Sequence, residues 1–346
     1  MTENVVRCLS CGLGSIGRAL AREAVSRRGL EWVGAVDVDP ALAGRDAAEA
    51  IGLDSPPPMG VSVAADLKEA IEELKPDVIL HTTSSYIPDI LSQLVTIIEA
   101  GCSVVSSSEQ LAFAPLHHRQ AAERLDRMAK EKGVVVLGTG VNPGFVMDRL
   151  VVDTGRNCTE IASIRVLRTV DASLRREPLQ RKIGAGLSVE AFGEKAAGGK
   201  FGHAGFQESV ALIAHAFGWE GMEITETLGP MVAEEPVVTD YVRVDPGQAA
   251  GIDQRATGTL AGRTLIDLRI QMYVGAKDPE DVIEIEGTPD LTLRIPGGIF
   301  GDGATIGRLM SAVNEIRSQP PGLRTVVGLG AFDKTPNPMP IRGATD

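Results

Sequence analysis

An acidic side chain following a run of serines, Ser106-Ser107-Ser108-Glu109-Gln110, is one place in this sequence where chemistry can be read. If the run ends a buried strand, the serines can contact a polar ligand and Glu109 can hold or move a proton beside it. The same position equally suits a helix-capping or solvated carboxylate. A second group carries a sharper signature. Gly12-Leu13-Gly14-Ser15-Ile16-Gly17 has the G-x-G-x-x-G spacing, and Asp37 stands about 20 residues beyond it. Among 39 glycines the spacing alone arises by chance, so its context decides. Gly12 would allow the tight turn, Gly14 would let the backbone approach a pyrophosphate, and Gly17 would let helix and strand pack closely. Free N–H groups at the helix start, with Ser15 and Ile16, would hold the anion. Asp37 can accept hydrogen bonds from an adenosine ribose and repels a 2′-phosphate, which favours NAD, while Arg18 leaves NADP open.

The elements around these residues supply that context. Strands are expected at Val5 to Cys11, Trp32 to Asp37, Val61 to Val63, Val78 to Thr83, Val104 to Ser107 and Val134 to Leu137, alternating with helices. Ile16, Leu20 and Ala24 mark the apolar face of the first helix, and Gly101 and Gly133 stand where two later helices need left-handed caps. The fold class that follows is α/β, a doubly wound Rossmann domain. In open sheets of this kind the ligand crevice lies beyond the carboxyl ends of the strands. That brings forward His81-Thr82-Thr83-Ser84-Ser85, the seryl run, and Gly140-Val141-Asn142-Pro143-Gly144-Phe145, with Thr82, Thr83 and Ser107 as cofactor contacts. Glu109 is the ionisable acid among these tips. His81 reads as a buried, hydrogen-bonded histidine.

After Asn142-Pro143-Gly144 the texture changes. Ile266, Leu268, Ile270, Met272 and Val274 alternate with Asp267, Arg269, Gln271 and Tyr273, and Leu291, Leu293 and Ile295 repeat the pattern. One-sided strands of this kind belong to a second α+β domain with a mostly antiparallel sheet. Ile306, Leu309, Met310, Val313 and Ile316 fall at helical spacing. The expected division is a Rossmann domain over 1–147, a substrate-binding and dimerisation domain over 148–300, and a helix and tail over 301–346 that return to the first.

Composition narrows the function. With 46 acidic against 34 basic residues and a net charge of −12, nucleic acid and anionic membranes are unsuitable partners. No apolar run approaches the roughly 20 residues that span a bilayer, and the start lacks a signal pattern, so a cytoplasmic enzyme is expected. Four cysteines are too few and scattered for a disulfide framework. Cys8 and Cys11 have C-x-x-C spacing, but on a strand their thiols point to opposite faces, as buried and inert groups. The five histidines form no H-E-x-x-H and have no cysteine cluster beside them, so no metal is expected. Tyr273 and Lys277 match Y-x-x-x-K by chance, since the tyrosine lies in an alternating strand.

Taken together, Ser106-Ser107-Ser108-Glu109-Gln110-Leu111, Gly138-Thr139-Gly140-Val141-Asn142-Pro143-Gly144-Phe145, Arg175-Arg176-Glu177-Pro178-Leu179-Gln180 and Pro296-Gly297-Gly298 give the chain a resemblance over nearly its whole length. It resembles the 2,4-diaminopentanoate dehydrogenases and related native amine dehydrogenases, whose fold is similar to that of dihydrodipicolinate reductase. The resemblance implies that Glu109 is the catalytic carboxylate, that a substrate pocket lies between the domains with Asn142 and Phe145 at its wall, and that the protein is a homodimer. His203 looks like a second-domain residue facing that pocket, or a packed structural histidine. Arg168, Arg175, Arg176 and Lys182 can pair with a substrate carboxylate or lie solvated at the surface. Dihydrodipicolinate reductase itself differs: its H-H-x-x-K is half present at His117-His118, with Ala121 in place of the lysine. Sugar oxidoreductases of the glucose-fructose kind carry a lysine where this chain has Gln110.

The implied reaction is reversible, NAD(P)-dependent oxidative deamination of a primary amine or diamino acid to a ketone or aldehyde plus ammonia. A carboxylate suits it because the iminium intermediate is cationic. An alcohol, aldehyde or sugar oxidoreductase on the same scaffold is the first alternative, and a non-catalytic dinucleotide sensor the second.

Overall fold

The computed structural model describes residues 5–53, 60–199, 201–329 and 337–338. The chain forms two compact units, Met1–Phe145 with Gly301–Ala331 and Val146–Phe300 with Phe332–Asp346. The first begins with β1 (Val6–Cys11), α1 (Ser15–Ser26), β2 (Leu30–Val36), α2 (Ala47–Ala50), α3 (Leu67–Leu74), β3 (Val78–His81), α4 (Ile87–Glu99), β4 (Ser103–Ser106), a 3₁₀ turn (Glu109–Phe113), α5 (Pro115–Lys132) and β5 (Val135–Gly138). The second contains α6 (Arg149–Gly155), β6 (Glu160–Asp171), α7 (Glu177–Lys182), α8 (Val189–Ala197), α9 (Phe206–Phe217), β7 (Glu223–Val232), β8 (Val237–Val238), β9 (Arg243–Val244), β10 (Ala249–Leu260), β11 (Arg263–Tyr273), β12 (Glu280–Thr288) and β13 (Leu291–Pro296). The chain then returns to the first unit with α10 (Gly301–Glu315) and β14 (Gly322–Arg324), before β15 (Asn337–Pro338).

All strands of the first sheet run parallel, in the order β14-β5-β4-β3-β1-β2. Such a sheet needs apolar cover. Leu9, Ile79 and Val104 meet Ile90, Leu94 and Ile97 of α4 and Leu125 and Ala129 of α5 in one buried cluster. Gly133 caps α5 at φ 71°, where a side chain would be strained. The chain leaves β1 for β2 on one side and later comes back to β3 on the other, so the crevice at the topological switch opens between the ends of β1 and β3.

The expected strand at Val61–Val63 is not one. These residues pair by backbone with the 44–47 stretch, and only single bridges, Val36 to Ala64 and Asp46 to Ser62, mark the place. Val63 is buried as a strand residue would be, but the stretch meets the sheet only through the single Val36–Ala64 bridge. The sixth strand is β14, which follows Pro320-Pro321 and has no β-branched residue to announce it.

In the second unit a mixed sheet runs β13-β12-β6-β11-β10-β7, with β15 paired to β6. Of these contacts β6 with β11 and β6 with β15 are parallel and the rest antiparallel. Ile266, Leu268 and Ile270 of β11 are buried, as their alternation requires. Almost all of α9 is buried, packed on the side of β10 where a Cβ on Gly258 would come 2.9 Å from Val210. The sequence reading gave the whole of 301–346 to the first domain, yet β15 belongs with β6. Two residues are too few to show a periodicity in the sequence.

Candidate active site

The turn after β1 is fixed by its glycines. Gly12 sits at φ +93°, and a Cβ there would stand 2.7 Å from the Thr82 carbonyl oxygen. A Cβ on Gly17 would be 2.0 Å from the Gly12 oxygen, so α1 can start this close to β1 only because that position is glycine. Gly14 differs from both: nothing lies within 4 Å of the place its Cβ would take, and its backbone is ordinary. Gly14 is also the N-cap of α1 and gives it no side-chain cap, so the N–H groups of Ser15, Ile16 and Gly17 face the site without a capping side chain. Open space beside an uncapped helix start is what a pyrophosphate needs. Asp37, just past β2, accepts from Leu13 N at 2.5 Å and Asp39 N at 2.8 Å. Its half-buried carboxylate is thereby held over the turn, where its remaining lone pairs can meet ribose hydroxyls.

Across the switch crevice, Thr82 N donates to the Cys11 carbonyl at 2.8 Å and the Thr82 hydroxyl to the Gly12 carbonyl at 2.9 Å. Thr83 is exposed and its hydroxyl donates to Gln93 Oε1 at 2.8 Å. Both threonines thus spend their protons on the protein and offer a ligand only acceptor lone pairs and methyl groups. His81 is buried and its imidazole is pushed down by burial, so it stays neutral. Ser107 N donates to the His81 carbonyl at 3.0 Å, which carries the parallel pairing of β3 and β4 one residue past the end of β4.

Glu109 is half-buried and opens the 3₁₀ turn directly beyond β4, the strand next to β3. Its position rests on Gly138, which the sequence shows only as the first residue of a glycine-rich segment. A Cβ there would be 2.5 Å from Ala112 N and from the Leu111 carbonyl carbon. The turn bearing Glu109 therefore lies against the end of β5 with no room for a methyl group. Gln110 pins the other side: its N donates to the Ser85 carbonyl at 3.1 Å, and its Oε1 lies 2.9 Å from Ile87 N and 3.0 Å from His118 Nε2. Beyond β5, Gly144 at φ +128° folds the 140–145 segment on itself, a Cβ there falling 2.2 Å from Gly140 N. Asn142 is buried, and Phe145 lies under the Arg308 guanidinium at 5.1 Å. Val141 N reaches Thr305 Oγ1 at 3.3 Å, which ties α10 to the strand ends.

The two remaining candidates belong to the second unit and are held separately there. Arg168 on β6 corrects one expectation, since it is neither solvated nor available as a lone cation. It is 3% exposed, its Nε lies 3.1 Å from Asp281 Oδ1, and Nη2 donates to the Ile299 carbonyl, while Ile299 N donates to Asp281 Oδ2 at 2.7 Å. Burial lowers the Arg168 pKa and raises that of Asp281, and each partner opposes the other's shift. The pair anchors the 296–300 turn. Nothing in the sequence linked Arg168 to Asp281, because strand pairing joins them over a long interval. Arg175 is likewise buried, with its guanidinium 4.8 Å from the Phe300 ring centre. His203 is half-buried, edge-on to Phe206 at 6.4 Å. Its backbone is clamped by the buried amide of Gln254, 2.8 Å from His203 N and 2.8 Å from its carbonyl, and that amide also meets Glu226 Oε1 at 2.5 Å.

All four cysteines are free and buried, and burial pushes the Cys8 and Cys11 thiols up to about 12, so they are not thiolates. Tyr273 ends β11 and Gly275 follows at φ 78°, which separates Tyr273 from any helical partnership with Lys277. Among the described residues no helix is long and apolar enough to cross a membrane, and no group of three or more His, Cys, Asp or Glu could hold a metal ion.

Comparison with known proteins adds a different kind of observation. Residues 145–337 match the family profile described as the 2,4-diaminopentanoate dehydrogenase C-terminal domain. A curated 2,4-diaminopentanoate dehydrogenase from Acetoanaerobium sticklandii is 31% identical over 337 residues, covering 94% of this chain and 93% of the relative. Among solved structures, an amine dehydrogenase from Mycobacterium smegmatis superposes with a TM-score of 0.80 at 21% identity, over 96% of this chain and 98% of that one. A scyllo-inositol dehydrogenase from Lactobacillus casei, solved with NAD(H) and scyllo-inositol, follows at a TM-score of 0.51 and 16% identity, over 90% and 89% of the two chains. At these identities the solved structures speak to fold.

Proposed function

Because this chain belongs to the family of 2,4-diaminopentanoate dehydrogenases, we propose that it catalyses reversible NAD(P)-dependent oxidative deamination with Glu109 as the catalytic carboxylate. The observation that carries the role of Glu109 is its place on a fixed turn beyond β4, one strand from the crevice that the glycine turn and Thr82 border. When bound, NAD(P) supplies the acceptor for the hydride that leaves the amine-bearing carbon. The site residues do the rest.

Loss of hydride from a neutral primary amine leaves a cationic C=N carbon, and a fixed carboxylate lowers the energy of that charge in a shielded site. Water then adds to the carbon. Glu109 takes the proton that the water gives up and returns it to the departing nitrogen, so amine and water become ketone and ammonia, with one proton released in the net oxidation. An alkoxide, by contrast, would be repelled by the same group. The uncapped start of α1 and the space at Gly14 would hold the pyrophosphate, and Asp37 would take the adenosine ribose, which favours NAD over NADP. Ser107 and the two threonines would line the nicotinamide side.

The first substrate to try is the one for which the relative is named, since 2,4-diaminopentanoate presents the CH–NH2 group that this chemistry needs. Its carboxylate would have to find a cation other than Arg168, whose charge Asp281 already answers. A screen of 2-amino-4-oxopentanoate, cyclohexanone and small aldehydes with NADH, with and without ammonia, tests the assignment. Oxidation of NADH that needs ammonia supports it, and equal oxidation without ammonia argues for carbonyl reduction instead.

We infer a homodimer as well. The face of the second sheet opposite α9 carries Arg255 with Asp267 at 2.7 Å and Arg269 with Asp253, a pattern of both signs that can meet its own copy. A monomer mass by light scattering at micromolar concentration would remove this inference.

A further inference from the structure

His81 touches no expected ligand, yet it sits at the centre of a polar chain that runs from the exposed Thr83 hydroxyl and the half-buried Gln93 amide to the buried Ser106 and Ser108. It closes β3 with no exposed surface. Its Nδ1 lies 2.9 Å from the Ser106 hydroxyl at the end of β4, and its Nε2 lies 2.8 Å from Gln93 Oε1 on α4. The Thr83 hydroxyl completes this end, 3.0 Å from Nε2. On the far side, Ser106 Oγ accepts from Ser108 N at 3.1 Å. Ser108 is the residue before Glu109.

The proton positions follow from donor and acceptor bookkeeping. Ser106 Oγ already receives the Ser108 N–H, and its own proton needs an acceptor, which Nδ1 provides if it carries no hydrogen. Nε2 then carries the hydrogen and points it at a carbonyl oxygen, Gln93 Oε1, that can only accept. Both ends demand the same neutral tautomer, and burial, which disfavours the imidazolium, favours it too. The ring is therefore a fixed acceptor that turns the Ser106 hydroxyl so that its oxygen faces Ser108 N–H. The His81 carbonyl takes the adjoining Ser107 N–H at 3.0 Å. One residue thus holds both amides of the segment that delivers Glu109.

We infer that His81, acting through Ser106, is a positioning residue that fixes the 106–108 backbone and with it the carboxylate of Glu109. The inference rests on the role given to Glu109 above. Two substitutions separate positioning from mere packing, because each keeps one end of the ring's bonding and both shrink the side chain. Asparagine can place an oxygen where Nδ1 was and still accept from Ser106. Glutamine can place a nitrogen where Nε2 was and donate to Gln93, while losing Ser106.

In the full-length protein, His81→Asn is expected to keep kcat for ammonia-dependent NADH oxidation within about threefold of the parent, and His81→Gln to lose about tenfold or more, with the KM for NADH unchanged in both. Ser106→Ala is expected to match His81→Gln, and the double variant to lose no more than Ser106→Ala alone. Melting temperatures establish that each variant is folded; should His81→Gln not fold, Ser106→Ala carries the comparison with His81→Asn. Equal losses in His81→Asn and His81→Gln, or a full additive loss in the double variant, would overturn the inference. Glu109→Gln run alongside keeps the two questions apart: if it retains turnover, the role of Glu109 fails, whereas a dead Glu109→Gln with indistinguishable His81 variants refutes only the positioning.

Discussion

Adding one methyl group at Gly138 should disable the enzyme without touching either ligand. The Cβ of Gly138→Ala would stand 2.5 Å from Ala112 N and the Leu111 carbonyl carbon and 2.8 Å from the Leu111 oxygen. Non-bonded carbon contacts settle near 3.5–4.0 Å, so the 3₁₀ turn and the end of β5 must part by roughly 1 Å. The atoms in the way are backbone and cannot rotate aside, which makes the whole turn the moving part. Overpacking of this kind costs about 1–3 kcal/mol. In a protein of this size that is a fall in melting temperature of roughly 2–12 °C, small enough to leave the fold intact. A displacement of about 1 Å at the catalytic group lowers turnover by something like 100-fold. The assay is steady-state NADH oxidation with ketone and ammonia, paired with NADH affinity by fluorescence. Loss of kcat with affinity preserved is the expected pair of results, because the cofactor turn lies on β1 and the strain on β5. A variant whose kcat stays within a few fold of the parent would refute the link between Gly138 and the placement of Glu109.

Other sites give contrasting outcomes. Gly14→Ala should fold with an unchanged melting temperature, since its Cβ enters open space, yet should weaken NADH binding about tenfold or more by intruding on the anion, as titration would show. Asp281→Ala leaves the buried Arg168 charge unanswered and should destabilise the protein by about 3–5 kcal/mol in urea unfolding. Acid should act through His81: its folded pKa lies below the unfolded value, so the stability it contributes is present above about pH 6.5 and is lost as pH falls through that value towards the folded one. The difference in unfolding free energy between parent and His81→Asn should accordingly shrink on acidification, and a pH-independent difference would count against a neutral buried ring.

The sequence disclosed what depends on local pattern. The glycine turn, Asp37 and three strands expected to end at Thr83, Ser107 and Leu137, each within two residues of the observed ends at His81, Ser106 and Gly138, are legible because turn chemistry and apolar runs are read over neighbouring residues. Glu109 stood out as the ionisable acid among those ends. Legibility stopped where partners come from afar. The Arg168–Asp281 pair joins β6 to β12, and the Gln254 amide reaches His203 from β10; neither leaves a mark in local sequence. Gly138 was visible as part of a glycine-rich segment, but its reason, the backbone of Leu111 and Ala112 lying against it, exists only after folding. Val61–Val63 and Gly322–Arg324 show the same limit from the side of the sheet. A pair of valines, one of them buried, imitates a strand, while a true edge strand held by three backbone partners on β5 has a single leucine, Leu323, and no alternation to advertise it.

The central claim is that a carboxylate at position 109 carries the amine chemistry. Glu109→Gln keeps the shape and removes the charge, so ammonia-dependent NADH oxidation by this variant, measured at saturating cofactor, tests it most directly. The account predicts NADH affinity equal to the parent's and a turnover lowered by about 100-fold or more. Turnover close to the parent's, still dependent on ammonia, would contradict it.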